Sequence, residues 1–150
     1  QTALQSTLLT AMDKILWDDR FSVGVAEFDD QHRRLAELIN QLGDCIGQSA
    51  GSEAVADVLS ALSEYASTHF EAEEALLQRL GYPELNAQWQ EHTEFCETVA
   101  NACYDASCGS VDLPALSAYL MHWWEDHILL FDMRYKSFVA GQIPPSPNKA

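Results

Sequence analysis

Four of the chain's five histidines occupy positions where an amphipathic helix carries apolar residues, and a glutamate and an aspartate accompany them at near-helical spacing. The set is His32, the pair His69 and Glu73, His92, and the pair His127 and Asp132. Each imidazole or carboxylate in an apolar seam costs on the order of several kcal/mol of desolvation unless it is paired or bound to a cation. Taken singly, His32 reads as a hydrogen-bonded core histidine, and His69 with Glu73 as an ordinary i, i+4 polar pair. Brought to one level of a bundle, the six call for a metal. Imidazole with carboxylate suits iron, zinc or manganese, and two carboxylates among four histidines allow the carboxylates to bridge two ions. Gln88 stands four residues before His92, where symmetry with the other pairs leads one to expect a further ligand.

The elements that must position these groups are helices. The register Phe28, His32, Leu35, Ile39, Leu42, Ile46 marks the inward seam of a first helix, which the stretch Gly47 to Gly51 ends. Ser52, with Glu53 and Asp57, gives the next helix an acidic start that a side chain can cap. Its seam is Val55, Leu59, Leu62, Ala66, His69, Glu73, Leu76, Leu80, and Gly81 followed by Pro83 stops it. A third seam runs Leu85, Gln88, His92, Phe95, Val99, Ala102 up to the Cys108-Gly109-Ser110 turn. A fourth runs Leu116, Leu120, Trp123, His127, Leu130 and Phe131, then Tyr135 and Phe138, before Gly141 and Pro144-Pro145-Ser146-Pro147. No segment alternates with period two, so the fold class is all-α.

Helices of about 20 to 27 residues joined by short turns make an up-down-up-down antiparallel four-helix bundle the economical architecture. The expected domain is residues 1–140, with 141–150 a proline-rich tail or linker. Residues 1–30 form a lead-in in which Ile15, Leu16 and Trp17 are expected to pack across the bundle end. Antiparallel pairing brings the end of the second helix beside the start of the third, so all the candidate ligands converge. His122 lies five residues before His127, about 140° around a helix, and points outward. Of the acidic run Glu71, Glu73 and Glu74, one member turns inward and the others form a solvated face.

Composition narrows the classes of partner. At 150 residues and 47% hydrophobic, the chain supports one well-buried core. With 23 acidic against 8 basic residues and a formal charge of −15, its field repels nucleic acid and anionic membranes. No apolar run is long enough to span a bilayer, and no basic region of a secretory signal stands at the start, which points to a cytoplasmic protein. Cys45, Cys96, Cys103 and Cys108 form no C-x-x-C pair and read as free thiols serving as small core residues.

In combination, Trp17-Asp18-Asp19 ahead of Val23-Gly24-Val25, Asp30-Gln31-His32, His69-x-x-x-Glu73, Tyr82-Pro83, His92 and His127-x-x-x-x-Asp132 resemble a hemerythrin domain of the bacterial type over about residues 15 to 138. The resemblance implies a non-haem site of two iron ions (Fe2+/Fe3+) bridged by Glu73, Asp132 and a solvent-derived oxo or hydroxo group. His32 and His69 would lie on one iron, and His92 and His127 on the other. The family has a third histidine on that second iron, where this chain has Gln88. Either Gln88 binds weakly, or a water takes its place, or the amide ligates with nothing else changed, or one iron is lost. An additional exchangeable position favours fast oxidation over reversible oxygen carriage.

Phe70, Trp123, Trp124 and Ile128 could wall an oxygen pocket, and ordinary packing explains them equally well. By resemblance, the ligands of the metals are dioxygen or small anions. The domain itself is read as no enzyme, although an output domain in a longer chain, such as a diguanylate cyclase, or a homo-oligomer is compatible with it. The preferred role is an oxygen or redox sensor passing its state to a C-terminal output domain, with a reversible oxygen carrier or store as the alternative. An oxidase or peroxidase ranks last, because the sequence offers no acid/base pair beyond the ligands.

Overall fold

The computed structural model describes residues 14–142, and every regular element among them is helical. A 3-10 turn, Asp19–Phe21, precedes α1 (Ala26–Asp44), α2 (Glu53–Leu80), α3 (Leu85–Ser107) and α4 (Leu113–Asp126). A π-helical segment, His127–Asp132, then leads without a break into α5 (Met133–Gln142). The fourth rod of the bundle is therefore α4, the π segment and α5 in succession. α1 packs against α2 and α4, α2 against α3, and α3 against α4, as an antiparallel four-helix bundle requires.

The helix ends follow local chemistry. The Ser52 side chain accepts a hydrogen bond from the Val55 N–H, and Asp112 does the same for Ala115 ahead of α4, satisfying amides that lack an intrahelical partner. Gly81 ends α2 with φ of 73°, a left-handed conformation that a side chain would strain. Gly24 takes φ of 78° just before α1 for the same reason. Asp29 secures that entry, accepting from the Val23 N–H at 2.8 Å and the Ser22 hydroxyl at 2.6 Å.

The lead-in is pinned to the bundle more selectively than its apolar trio suggests. Ile15 donates its N–H to Asn40 Oδ1 and accepts from Asn40 Nδ2, and Trp17 packs edge-on to Trp124 and tilted against Phe21. Leu16 points to solvent at 79% exposure, because consecutive residues of an extended strap alternate faces. Residues 1–13 and 143–150, including the prolines of the expected linker, lie outside the described residues.

Three other expectations shift. In α2 the buried residue one turn beyond Glu73 is Leu77, whereas Leu76 and Leu80 are half-buried; a straight 3.6-residue helix drifts away from a strict 3-4 alternation. Leu130 is 55% exposed, because the π segment rotates it off the seam that an unbroken α-helix would give it. α5 continues through Gly141 to Gln142 rather than stopping before the glycine. Of the cysteines only Cys45 is buried, Cys96 and Cys103 are half-buried and Cys108 is exposed; all four are free thiols.

The seam assignment has a direct check. Leu77→Ala is expected to destabilise the metal-free protein by about 2–5 kcal/mol, since it empties a fully buried site. Leu130→Ala should stay within about 0.5 kcal/mol of the parent. Urea unfolding curves decide it: equal losses at the two positions would contradict the rotation of the fourth rod.

Candidate metal centre

Each rod of the bundle contributes to one buried cluster. His32 comes from the second turn of α1, His69 and Glu73 from successive turns of α2, Gln88 and His92 from successive turns of α3, and His127 and Asp132 from the two ends of the π segment. None of the seven is more than 3% exposed. At about 100° per residue an α-helix would set His127 and Asp132 about 140° apart. The π segment, with its i→i+5 hydrogen bonding, brings them to the same face. His122, also five residues from His127 but within the α-helical part, is exposed as expected.

The two carboxylates span the cluster. Glu73 Oε2 lies 3.5 Å from His32 Nε2 and 3.4 Å from His69 Nε2, while its Oε1 lies 3.0 Å from His92 Nε2. Asp132 Oδ2 lies 3.2 Å from His32 Nε2, and its Oδ1 lies 3.0 Å from His127 Nε2. Each carboxylate thus turns one oxygen to a His32 side and the other to a His92/His127 side, where the two Nε2 atoms face each other at 3.2 Å. Tyr135, fully buried on α5, donates its hydroxyl hydrogen to Glu73 Oε2 at 2.8 Å.

The donor set fits a pair of cations. His32 Nε2, Glu73 Oε1, both Asp132 oxygens and Gln88 Oε1 are buried without a hydrogen-bond partner, an arrangement too costly to leave uncompensated. Two groups could each hold an ion, His32 with His69 and Glu73, and Glu73 with His92, His127 and Asp132; within each, the ligand atoms lie within 4.8 Å of one another. Glu73 belongs to both. Hard carboxylate oxygens mixed with imidazole nitrogens suit iron, manganese or zinc rather than calcium or a thiolate-bound metal.

Outside the cluster stands a set of polar partners that lie on none of the apolar seams. Gln31 Oε1 accepts from His69 Nδ1 at 2.5 Å, Glu74 Oε2 accepts from His92 Nδ1 at 2.8 Å, and Glu91 Oε1 stands 3.5 Å from His127 Nδ1. Each of these sits one residue from a cluster member on its own helix and reaches the histidine of the next helix. That adjacency was the available signal. Glu71 is exposed as expected, but Glu74, expected on the same solvated face, is half-buried against His92.

Burial and charge work against each other at the histidines. At His32 burial pulls the pKa down, and the close negative carboxylates of Asp132 and Glu73 outweigh it, carrying the value up to about 9. At His127 burial is again the largest influence and is overcome by Asp132, then Glu91 and Glu73, to about 10. His92 is raised by Glu73 and Glu74 against its burial, whereas His69 is lowered because burial prevails. Glu73 and Asp132 resist burial and are held below the usual carboxylate range by the surrounding imidazoles. Burial pushes the Tyr135 phenol well above its ordinary value, so it remains a hydrogen-bond donor.

Aromatic rings close over one half. Phe70 stacks on His92 with centroids 4.0 Å apart, and Trp123 stacks on His127 at 4.4 Å. Ile128 is buried in the π segment. Trp124 faces the lead-in instead, 4.8 Å from Phe21, and donates its indole N–H to the His32 carbonyl.

Fold and cluster together define an all-helical bundle with a candidate two-metal, histidine- and carboxylate-lined centre at its heart. Residues 23–139 match the family described as Hemerythrin HHE cation binding domain. The bacteriohemerythrin of Stenotrophomonas maltophilia is 30% identical over 132 residues, 88% of this chain and 86% of that one. That of Pseudomonas aeruginosa PAO1 is 31% identical with the same coverage. Among solved structures, wild-type hemerythrin superposes with a TM-score of 0.77 at 26% identity, covering 84% of this chain and 98% of that one. A leucine-to-alanine variant of hemerythrin gives 0.78 at 26% identity, covering 86% and 99%. The chain belongs to the hemerythrin family, whose members bind oxygen at a non-haem di-iron centre.

The electrostatics make metal uptake pH-dependent. His32 and His127, raised to about 9 and about 10, carry protons at neutral pH that a cation must displace. Anaerobic addition of Fe2+ to the metal-free protein near pH 7 is expected to release protons, and the affinity to rise with pH towards 9. The stabilisation these two histidines give the metal-free protein has the opposite sign. Their folded pKa values are raised, so it is complete below the unfolded value of 6.5 and lost as pH climbs through 9 to 10. Titration with an indicator dye checks the first, and melting curves between pH 6 and 10 the second; uptake without proton release would contradict this account.

Proposed function

We propose that the domain is a di-iron oxygen or redox sensor in which His32 and His69 hold one iron, His92 and His127 hold the other, and Glu73 and Asp132 bridge them. When bound, the metals supply the reaction with dioxygen; the chain's own side chains set its outcome. The observation that carries the sensor reading is Gln88, whose amide oxygen is buried without a partner at the place where an additional imidazole would stand. A neutral amide oxygen is a weaker donor to iron than imidazole, so this position exchanges readily and favours direct oxidation over reversible carriage. Phe70 and Trp123 stack on the imidazoles of His92 and His127, and Tyr135 holds its proton towards Glu73.

The residues beyond α5, 143–150, with Pro144, Pro145 and Pro147, are read as a linker to an output domain, for instance a diguanylate cyclase or a chemotaxis receptor module, and the domain's place as cytoplasmic. The domain itself is an oxygen binder rather than an enzyme. The alternative, an oxygen carrier or store, is favoured by the apolar wall over His92 and His127, since exclusion of water slows loss of bound oxygen.

Aeration of the reduced, iron-loaded protein separates the two. A sensor passes directly to the diferric spectrum, whereas a carrier shows a distinct oxygenated spectrum that degassing reverses. Gln88→His is expected to slow oxidation by about tenfold or more, ~1.4 kcal/mol in barrier. Oxidation of this variant as fast as the parent would overturn the role given to Gln88.

A further inference from the structure

The outer partners of the cluster are not distributed evenly. On the side of His32 and His69, Gln31 is a neutral amide, and His32 Nδ1 has no partner. On the side of Gln88, both histidines face carboxylates: His92 Nδ1 donates to Glu74 at 2.8 Å, and Glu91 brings its charge to 3.5 Å from His127 Nδ1 without closing a hydrogen bond. The half with the weak amide donor is thus the half with two extra negative charges behind its imidazoles. Neither carboxylate belongs to the cluster itself, and both keep a solvent edge, with side chains 26% and 23% exposed.

We propose that Glu74 and Glu91 are positioning residues that polarise His92 and His127, so that charge behind these imidazoles offsets the missing ligand at Gln88 and retains a metal in that half of the site. At His92 the carboxylate of Glu74, accepting from Nδ1–H, fixes the tautomer with the Nε2 lone pair facing inward and raises the basicity of that nitrogen, while Glu91 acts on His127 through its charge. A stronger donor favours the more highly charged ferric ion over the ferrous. Glu74 and Glu91 therefore act on two measurable quantities, the affinity of one iron and the potential at which it is oxidised. The inference rests on the ligand assignment above but not on the sensor role.

The test uses the full chain, anaerobic Fe2+ titration and a redox titration of the loaded protein. Glu74→Gln keeps the size and an acceptor oxygen while removing the charge. It is expected to weaken the second of two Fe2+ binding steps by about 10- to 100-fold. It should also raise the midpoint potential, by about 59 mV for each tenfold difference between ferric and ferrous affinity. Glu91→Gln, on a different helix, should shift both quantities the same way and serves if the first variant folds poorly. Glu74→Asp should recover part of the loss. Gln31→Ala, which removes no charge, should leave the potential near that of the parent. Glutamine variants that match the parent within twofold in affinity and hold its potential would overturn the proposal, reducing both carboxylates to packing. A parent that takes up no iron would overturn the ligand assignment itself.

Discussion

Glu73 and Asp132 are both completely buried, and the bundle is organised around keeping them so. Two carboxylates in an apolar interior repel each other and forfeit their hydration, and no single hydrogen bond makes that tolerable. Here each rod supplies an imidazole, and Tyr135 supplies a hydroxyl, so that positive or donor groups approach the carboxylates from every side. With His32 and His127 protonated, this arrangement stabilises the metal-free protein near neutral pH. With cations bound, the same oxygens have a stronger partner and the imidazoles lose their protons. Folding and metal binding thus compete for one set of lone pairs.

The register of the helices follows from that constraint. Gln31 beside His32, Glu74 beside Glu73 and Glu91 beside His92 each reach across to the histidine of the following helix. Trp124 completes the circuit from the fourth rod to the first through the His32 carbonyl. A slide of one helix by a single turn, about 5.4 Å, would break two of these links at once, one made by its outer partner and one received by its histidine. Apolar ridges alone tolerate such slides far better, because one leucine-filled groove resembles the next.

Most of this was readable from the order of residues. The seam of α1 as far as Leu42, where the helix ends at Asp44 before the expected Ile46, the seam of α3, the stops at Gly81 and after Ser107, and the cap at Ser52 depend on local chemistry that any amphipathic helix displays. The convergence of His32, His69, Glu73, His92, His127 and Asp132 followed from antiparallel pairing. What escaped was whatever departs from a regular 3.6-residue helix or is decided across helices. A five-residue spacing taken as evidence that His122 points outward would, applied evenly, have rejected Asp132 too; only the π segment separates the cases, and no residue type within His127–Asp132 announces it. Glu74 and Glu91 look like surface acids because their partners lie on neighbouring helices.

The two halves of the centre consequently face different surroundings. Around His32 the structure is tied down by the lead-in, with Trp124 wedged between Phe21 and Trp17 and hydrogen-bonded to the His32 carbonyl. Around His92 the backing is thinner: a surface groove of about 360 Å3 between α2 and α3, lined by Phe70, Glu74, Trp89 and His92 among others, brings solvent to Glu74. Gln88 lies in this second half, one turn before His92 on α3. Gln88, the charged outer partners and the groove therefore coincide on one side of Glu73 and Asp132. Both carboxylates are tied to the fourth rod, because Asp132 ends the π segment and Tyr135, one turn on, donates to Glu73. A centre with two equivalent halves would have no such preferred side. Gln88 thus lies in the half that borders the groove, while Tyr135 ties Glu73 to α5.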